Sequence, residues 1–183
     1  MPSSITTIGE KAFQGCRYLE TVNLPNGAEE GIGITRLGTY AFDSTGRIKI
    51  EERSDYKPLA KLTSISVASF YGAGNGVYLS QIPSALKSLP AFAFAYCPNV
   101  TIEDFSTLTA MGTSALYECG KNNMINIVLP TSIENFANGC FSEYAIGHIN
   151  TVTYFGGGSV NDEVLARLGL SYSNPITIEQ VIE

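Results

Sequence analysis

One apolar spacing recurs along this chain and limits what it can fold into. In residues 5–13, ITTIGEKAF, the apolar residues Ile5, Ile8 and Phe13 stand three and then five positions apart. Further copies of this spacing start near residues 34, 62, 86, 108 and 133, at intervals of 29, 28, 24, 22 and 25 residues. Because one such unit cannot bury its apolar edge alone, the repeat predicts a solenoid of six stacked coils.

Each copy ends in a second stretch in which apolar and polar residues alternate, as at 19–24 and 149–154. Alternation at a period of two predicts a strand with one buried face. The block from Glu10 to Cys16 has apolar residues three apart and predicts a single helical or 3₁₀ turn. We therefore expect each coil to contain a short strand, a helical turn and a longer strand, in an α/β slab that occupies residues 1–155.

Residues 156–183 lie beyond the last copy and predict a helical cap or an adaptor. Either Ser159 or Asn161 can cap the start of a helix, and Gly169 is suited to its end. The apolar residues between them share one stripe, so we expect this helix to cover the last coil, which would otherwise expose an unpaired strand edge. Residues 176–182, ITIEQVI, predict either a final strand or a connection to a further segment.

The copies share the pattern LxxIGxxAFxxCxxLxxIxIP, which residues 5–25, ITTIGEKAFQGCRYLETVNLP, follow almost literally. In this pattern the chain resembles the BspA-type leucine-rich repeat family, over roughly residues 3–155. The resemblance implies a right-handed leucine-rich repeat solenoid that is non-catalytic and serves adhesion and protein binding at cell surfaces. It also implies a secreted or surface-exposed protein, although the N-terminal residues contain no apolar core of a signal peptide.

The charge balance argues against two classes of partner. The chain has 17 acidic and 11 basic residues, a net charge of −6. Such a chain is repelled by the phosphates of nucleic acids and by anionic membrane surfaces. No uninterrupted apolar run approaches the roughly 20 residues that cross a bilayer. We therefore expect no nucleic-acid partner and no membrane insertion.

The residues that could support catalysis or hold a cofactor are sparse. His148 is the single histidine, and no Gly-x-Ser-x-Gly motif accompanies it. The glycines at 72, 74 and 76 are not followed by the Lys-Ser/Thr pair of a phosphate-binding loop. No Cys-x-x-Cys pair indicates a metal site. The sequence therefore predicts no catalytic, metal or cofactor site.

The four cysteines fall on repeat positions rather than in loops. Cys16, Cys97 and Cys119 each follow the Phe or Leu mark by three residues, and Cys140 takes the Ala position before Phe141. A free cysteine behaves as a small apolar residue and suits a buried ladder. We therefore expect all four thiols in the core, with a bond between Cys97 and Cys119 of adjacent coils as the alternative.

Insertions between the copies, such as 26–33 and 51–61, mark where the solenoid carries loops. These loops are either solvated connections or a binding rim, because exposed loops on a rigid scaffold often carry recognition. Four tyrosines near coil edges could contact a protein or glycan ligand: Tyr18, Tyr56, Tyr71 and Tyr78.

The first copy begins at the start of the sequence without a polar cap before it. A second hypothesis follows, in which the chain is a structural subunit of an envelope, tail or fibre assembly. In that role its N-terminal coil would dock on another chain.

Overall fold

The computed structural model describes residues 1–46, 48–51, 53–73, 77–120, 125–142, 144–145, 149–155, 161–170 and 177–181. These residues form ten short strands and one helix: β1 Thr7–Ile8, β2 Arg36–Leu37, β3 Ile50–Glu51, β4 Ser64–Ile65, β5 Val77–Tyr78, β6 Ser88–Leu89, β7 Ala110–Met111, β8 Ile125–Leu129, β9 Ile149–Tyr154, α1 Asp162–Leu168 and β10 Thr177–Gln180. They make a β-solenoid, as the repeat predicts.

The strands pair in parallel and keep the register of the repeat. In the order β1-β2-β4, the buried residues Ile8, Leu37 and Ile65 are partners, and each holds the same position in its copy. β6 pairs with β7 in the same way, and the second strands form the pairs β3-β5 and β10-β9-β8. The longer second strand is realised only near the C-terminus, where β8 has five residues and β9 has six.

The corner between the two strands of a coil differs from the expected helical turn. In every coil it consists of successive β-turns whose N–H groups bond the carbonyl three residues back, as in Ala41 to Gly38 (3.2 Å) and Asp43 to Tyr40 (3.2 Å). The third residue after the strand has a positive φ, which no right-handed helix contains. This conformation recurs in all six coils: Lys11, Tyr40, Ala68, Phe92, Ser114 and Gly139. The spacing of three between Phe13 and Cys16 is thus the span of one such turn, whose ends are joined by the bond from the Cys16 N–H to the Phe13 carbonyl (3.1 Å).

The corners stack on each other through hydrogen bonds between coils. Phe42 donates its backbone N–H to Ser69 (2.8 Å), Phe70 to Ala93 (3.0 Å) and Phe94 to Ala115 (2.9 Å). The side chains of Phe13, Phe42, Phe70 and Phe94 therefore stack face to face, with ring centroids 5.1–5.3 Å apart and planes within 8°. The predicted phenylalanine ladder is confirmed, and it forms the centre of the core.

The cysteines follow the prediction in three cases out of four. Cys97, Cys119 and Cys140 are buried, and the thiols of Cys97 and Cys119 donate to carbonyls of the preceding coil, Phe70 (3.0 Å) and Phe94 (2.8 Å). No disulfide joins any of the four. Cys16 is exposed, so its assignment to the core is wrong. It belongs to the first coil, which has a neighbouring coil on one side only.

The C-terminal helix covers the last coil. Asn161 caps α1 by accepting a hydrogen bond from the N–H of Val164 (3.0 Å), and Gly169 ends the helix at φ 81°. The carbonyls of Arg167 and Leu168 accept bonds from Gly139 and Phe141, and so take the place that a further coil would occupy. β10 then pairs in parallel with β9, which confirms the predicted final strand. Ser159 lies outside the described residues.

Candidate functional site

The structure distributes the four predicted contact tyrosines over different surfaces. Tyr18 is 81% exposed on a bend of the first coil, and Tyr78 is 43% exposed on β5. Tyr56 is half-buried in the loop after β3, while Tyr71 lies on the corner turn of the third coil. The four therefore do not form one site, and their role in binding stays a prediction.

Tyr71 belongs to a row of aromatic side chains on the corner turns of the second to fifth coils. We call this row the aromatic belt; its members are Tyr40, Tyr71, Phe92, Tyr96 and Tyr117. Edge-to-face contacts join Tyr71 to Phe92 (centroids 6.2 Å apart), Tyr71 to Tyr96 (5.3 Å) and Tyr96 to Tyr117 (5.1 Å), with ring planes at 73–76°. Tyr71, Phe92, Tyr96 and Tyr117 thus form a continuous cluster, held together by the geometry that aromatic pairs prefer, and Tyr40 lies near Tyr71 at its end.

The repeat explains why these rings meet. Phe42, Phe70 and Phe94 point into the core, and the belt residues occupy the outward positions next to them in each corner. Adjacent parallel coils lie about 4.8 Å apart, so outward rings at nearby corner positions of neighbouring coils can touch. Phe92 remains 40% exposed and Tyr96 39% exposed, which are high values for such large rings. The belt is therefore available to a partner.

The electrostatics of the belt favour neutral hydroxyls beside a carboxylate. Burial raises the pKa of Tyr71, and the neighbouring Tyr96 hydroxyl, Asp43 and Tyr40 raise it further. Asp43 accepts hydrogen bonds from Gln14 Nε2 (2.8 Å) and Ser44 Oγ (2.9 Å). Among the described residues no Lys, Arg or His forms an ion pair with it. Asp43 thus presents its carboxylate group at the edge of the belt, near Tyr71.

A cleft lies between the first two coils. This cleft has a volume of about 320 Å³, and its lining is formed by Thr21, Val22, Asn23, Leu24, Lys49, Glu51, Arg53 and Tyr56. The Tyr56 hydroxyl donates to the Leu24 carbonyl (3.1 Å), and the Arg53 guanidinium lies 5.8 Å from the ring centroid. Burial raises the pKa of Tyr56, against the opposing effects of that hydrogen bond and of Arg53. Tyr56 therefore ties its loop to the first coil.

Catalytic and metal chemistry find little support in the part of the chain that the structure describes. It contains no group of three or more His, Cys, Asp or Glu that could hold a metal ion. Burial raises the pKa of the Cys140 thiol to about 12, so it remains protonated and a poor nucleophile at neutral pH. His148, Gly74 and Gly76 lie outside the described residues.

Most of the aromatic belt was missed by reasoning from the sequence. Tyr40, Phe92, Tyr96 and Tyr117 were not among the predicted contact residues, although the repeat contains the signal. Each coil from the second to the fifth has an outward aromatic residue in its corner, although its position relative to the buried Phe or Leu differs between coils. The contacts between those positions depend on coil stacking, which the alignment alone does not measure.

A comparison with protein-family models found six copies of the BspA type leucine-rich repeat region, over residues 1–70 and 63–156. Comparisons with curated proteins and with solved structures found no match. Within the described residues, no helix is long and apolar enough to span a membrane.

Proposed function

The chain belongs to the BspA-type leucine-rich repeat family, and on that premise we propose that it is a binding module that captures a protein partner on its aromatic belt. The observation that carries this proposal is the contiguous row of rings on three successive coils, the third to the fifth, with Phe92 and Tyr96 exposed at its centre. Aromatic side chains dominate the energetics of protein interfaces, and contiguous exposed apolar patches mark interaction sites.

The backbone under the belt supports this function because it is already fixed. Tyr40 donates its N–H to Val67 (3.2 Å), Phe92 to Thr113 (3.2 Å) and Tyr96 to Tyr117 (2.8 Å), each in the following coil. A surface that is ordered before binding loses little conformational entropy when the partner arrives. The solenoid thus acts as a rigid frame for the contact residues.

A protein suits the belt better than a glycan. The exposed edges of Phe92 and Tyr96 and the hydroxyl of Tyr96 suit the varied side chains of a protein.

Two further features belong to the proposal. Repeats of this family are generally non-catalytic, and the sparse titratable groups of the described residues support the same role for this chain. The family is typically found in secreted or surface proteins, and we place this chain in the same compartment, where its partner would be a surface or matrix protein.

The test is a binding assay of the purified chain against a panel of surface and matrix proteins and glycans. We expect saturable binding to a protein and an affinity about tenfold lower for Tyr96→Ser, which removes one exposed ring from the belt. Tyr78→Ser is the matched control, because Tyr78 is similarly exposed but lies on β5, away from the belt. Melting curves of both variants establish that they fold.

The proposal fails if no member of the panel binds saturably, or if Tyr78→Ser weakens binding as much as Tyr96→Ser. Binding to a glycan that depends on Tyr96 would keep the belt as the site and overturn the choice of a protein.

A second function is favoured by the geometry of the first coil. A Cβ atom on Gly9 would meet nothing within 4 Å, whereas one on Gly38, the same position in the second coil, would meet the nitrogen of Glu10 at 2.4 Å. The surface beside Gly9 can therefore receive another chain, as a structural subunit of an assembly requires. Light scattering over a tenfold concentration range tests this: a defined oligomer supports it, and a monomer of 19.6 kDa contradicts it.

A further inference from the structure

We infer that the segment of the partner that docks on the aromatic belt is cationic and rich in arginine. This inference rests on the proposed function and names the chemistry of the partner at that same surface. Three observations lead to it: the charge of the corner turns, the open lone pairs of Asp43, and the exposed rings beside them.

The charge of the belt surface has one sign. The corner turns of the second to fifth coils, residues 38–45, 66–73, 90–97 and 112–119, contain two acidic residues and no Lys, Arg or His. The acids are Asp43 in the first of these coils and Glu118 in the last, so they flank the rings. All 11 basic residues lie outside these four turns, and Lys11 in the adjoining corner of the first coil pairs with Glu10 (3.5 Å). A positive segment is the complement of such a surface.

Asp43 has room for a guanidinium. Each carboxylate oxygen can accept two hydrogen bonds, and each already accepts one, Oδ1 from Ser44 and Oδ2 from Gln14. One lone pair on each oxygen remains, which is the arrangement that a forked guanidinium bonds. The two existing donors are neutral, so they hold the carboxylate in place without cancelling its charge.

The exposed rings of the aromatic belt provide the second contact for an arginine side chain, in addition to the Asp43 carboxylate. A guanidinium is attracted to the face of an aromatic ring, and its planar shape allows it to stack there in a way that an ammonium cannot. Phe92 and Tyr96 are the most exposed rings of the belt. The chain itself uses this contact elsewhere, where Arg53 lies over Tyr56 at 5.8 Å.

Other segments fit this surface less well. An uncharged apolar segment would cover Asp43 and leave a desolvated carboxylate without a partner, which is costly. An acidic segment would be repelled by Asp43. An arginine-rich segment satisfies the carboxylate and the rings at once.

The experiment is a calorimetric titration of the full chain with three short peptides that alternate glycine with arginine, lysine or glutamine. We expect the arginine peptide to bind about tenfold more tightly than the glutamine peptide, with the lysine peptide between them, and added salt to weaken it. Tyr96→Leu keeps an apolar side chain but removes the aromatic ring. We expect it to lower the affinity for the arginine peptide about threefold or more.

The net charge of −6 requires a control, because any cationic peptide is attracted to an acidic chain. Asp43→Asn and Asp55→Asn remove the same charge, but Asp55 lies in the loop after β3 rather than on the belt. We expect Asp43→Asn to lower the affinity for the arginine peptide about threefold or more. Asp55→Asn should leave this affinity nearly unchanged.

The following results would contradict the inference that the docking segment is rich in arginine. Equal effects of Asp43→Asn and Asp55→Asn would mean that net charge alone attracts the peptide. Equal binding of the glutamine peptide, or no binding of any peptide, would mean that the belt takes a different segment. In both cases the proposed function stands if Tyr96→Ser still lowers binding in the panel assay, and it fails separately if Tyr96→Ser does not.

Discussion

At the scale of single residues, the position after the first strand of a coil is controlled by how closely the coils approach. Gly38 and Gly112 occupy this position in the second and fifth coils, and a Cβ on either would lie 2.4 Å from a backbone nitrogen of the preceding coil. Neither glycine has a positive φ, so close approach and not backbone freedom explains them.

This geometry predicts different effects for one substitution at two equivalent positions. Gly38→Ala should destabilise the protein by about 1–3 kcal/mol, because backbone atoms of Gly9 and Glu10 must move to admit the methyl group. Gly9→Ala is the control and should be neutral or slightly stabilising, since its Cβ meets nothing within 4 Å. Urea denaturation of both variants measures the difference, and equal midpoints would contradict the stacking described here.

The positive φ of the corner turns leads to a second prediction. Ser114 has φ 53°, a conformation that costs an L-residue about 1 kcal/mol, and the sixth coil places Gly139 at the same position. Ser114→Gly should therefore raise the free energy of unfolding by up to about 1 kcal/mol.

The neighbouring Thr113 provides the control, because its φ is not positive. Thr113→Gly should lower the free energy of unfolding by about 0.5–1 kcal/mol through the greater freedom of the unfolded chain. If both glycine variants were destabilised alike, the left-handed turn would not exist in solution.

At the scale of the elements, the phenylalanine ladder joins the first four coils. Its rings stack face to face because the corners are in register, and Phe94 ends the stack against Phe70 at 5.1 Å. The fifth coil has Leu116 at this position, and the sixth has Phe141, whose ring instead contacts Phe105 at 86°. The ladder thus changes geometry where the sequence departs from phenylalanine.

Phe94→Ala tests the ladder in the middle of the solenoid. Phe94 is fully buried, so we expect a loss of about 3–5 kcal/mol of stability, from lost burial and from the cavity. Phe92→Ala, two residues away and 40% exposed, should cost much less. Thermal melting followed by circular dichroism compares the two, and an unchanged melting curve for Phe94→Ala would refute the assignment of this residue to the core.

At the scale of the whole molecule, Tyr144 joins the sixth coil to the fourth. Its buried hydroxyl donates to the Ile102 carbonyl (2.5 Å) and accepts the Ile102 N–H (2.7 Å). Burial raises the pKa of Tyr144 above its usual value of 10, and the hydrogen bond to the Ile102 backbone opposes this only in part. The folded state therefore requires the neutral phenol.

This requirement predicts alkaline unfolding. The raised pKa means that the folded state holds its proton more tightly than the unfolded state, whose tyrosine titrates near 10. Stability should be full below pH 10 and should fall as the pH rises beyond it. Burial raises the pKa of Tyr56 and Tyr71 too, so they contribute in the same direction.

Tyr144→Phe separates this group from the others. The variant should be less stable at neutral pH by about 1–3 kcal/mol, because the Ile102 N–H loses its partner. It should also lose less stability than the wild type between neutral and alkaline pH. Denaturation curves across this range measure both effects, with Tyr78→Phe on an exposed ring as the control, and an identical pH dependence of the two variants would exclude Tyr144 as the cause.

The repeat in the sequence alone determined the solenoid, the phenylalanine ladder and the buried positions of Cys97 and Cys119. It could do so because burial recurs once per coil, so the inward residues carry a period that can be read directly. Outward residues carry no such constraint, because solvent accepts most side chains.

Only the tertiary structure decided which outward residues meet. The stacking of the coils brings Tyr71, Phe92 and Tyr96 into one belt, ties Tyr56 to the first coil, and leaves Cys16 exposed where a coil has one neighbour. The left-handed conformation of the corner residues also could not be predicted from the sequence, because Tyr40 and Phe92 do not favour a positive φ by themselves. Hydrogen bonds to the adjacent coils impose that conformation, and they exist only once the coils have stacked.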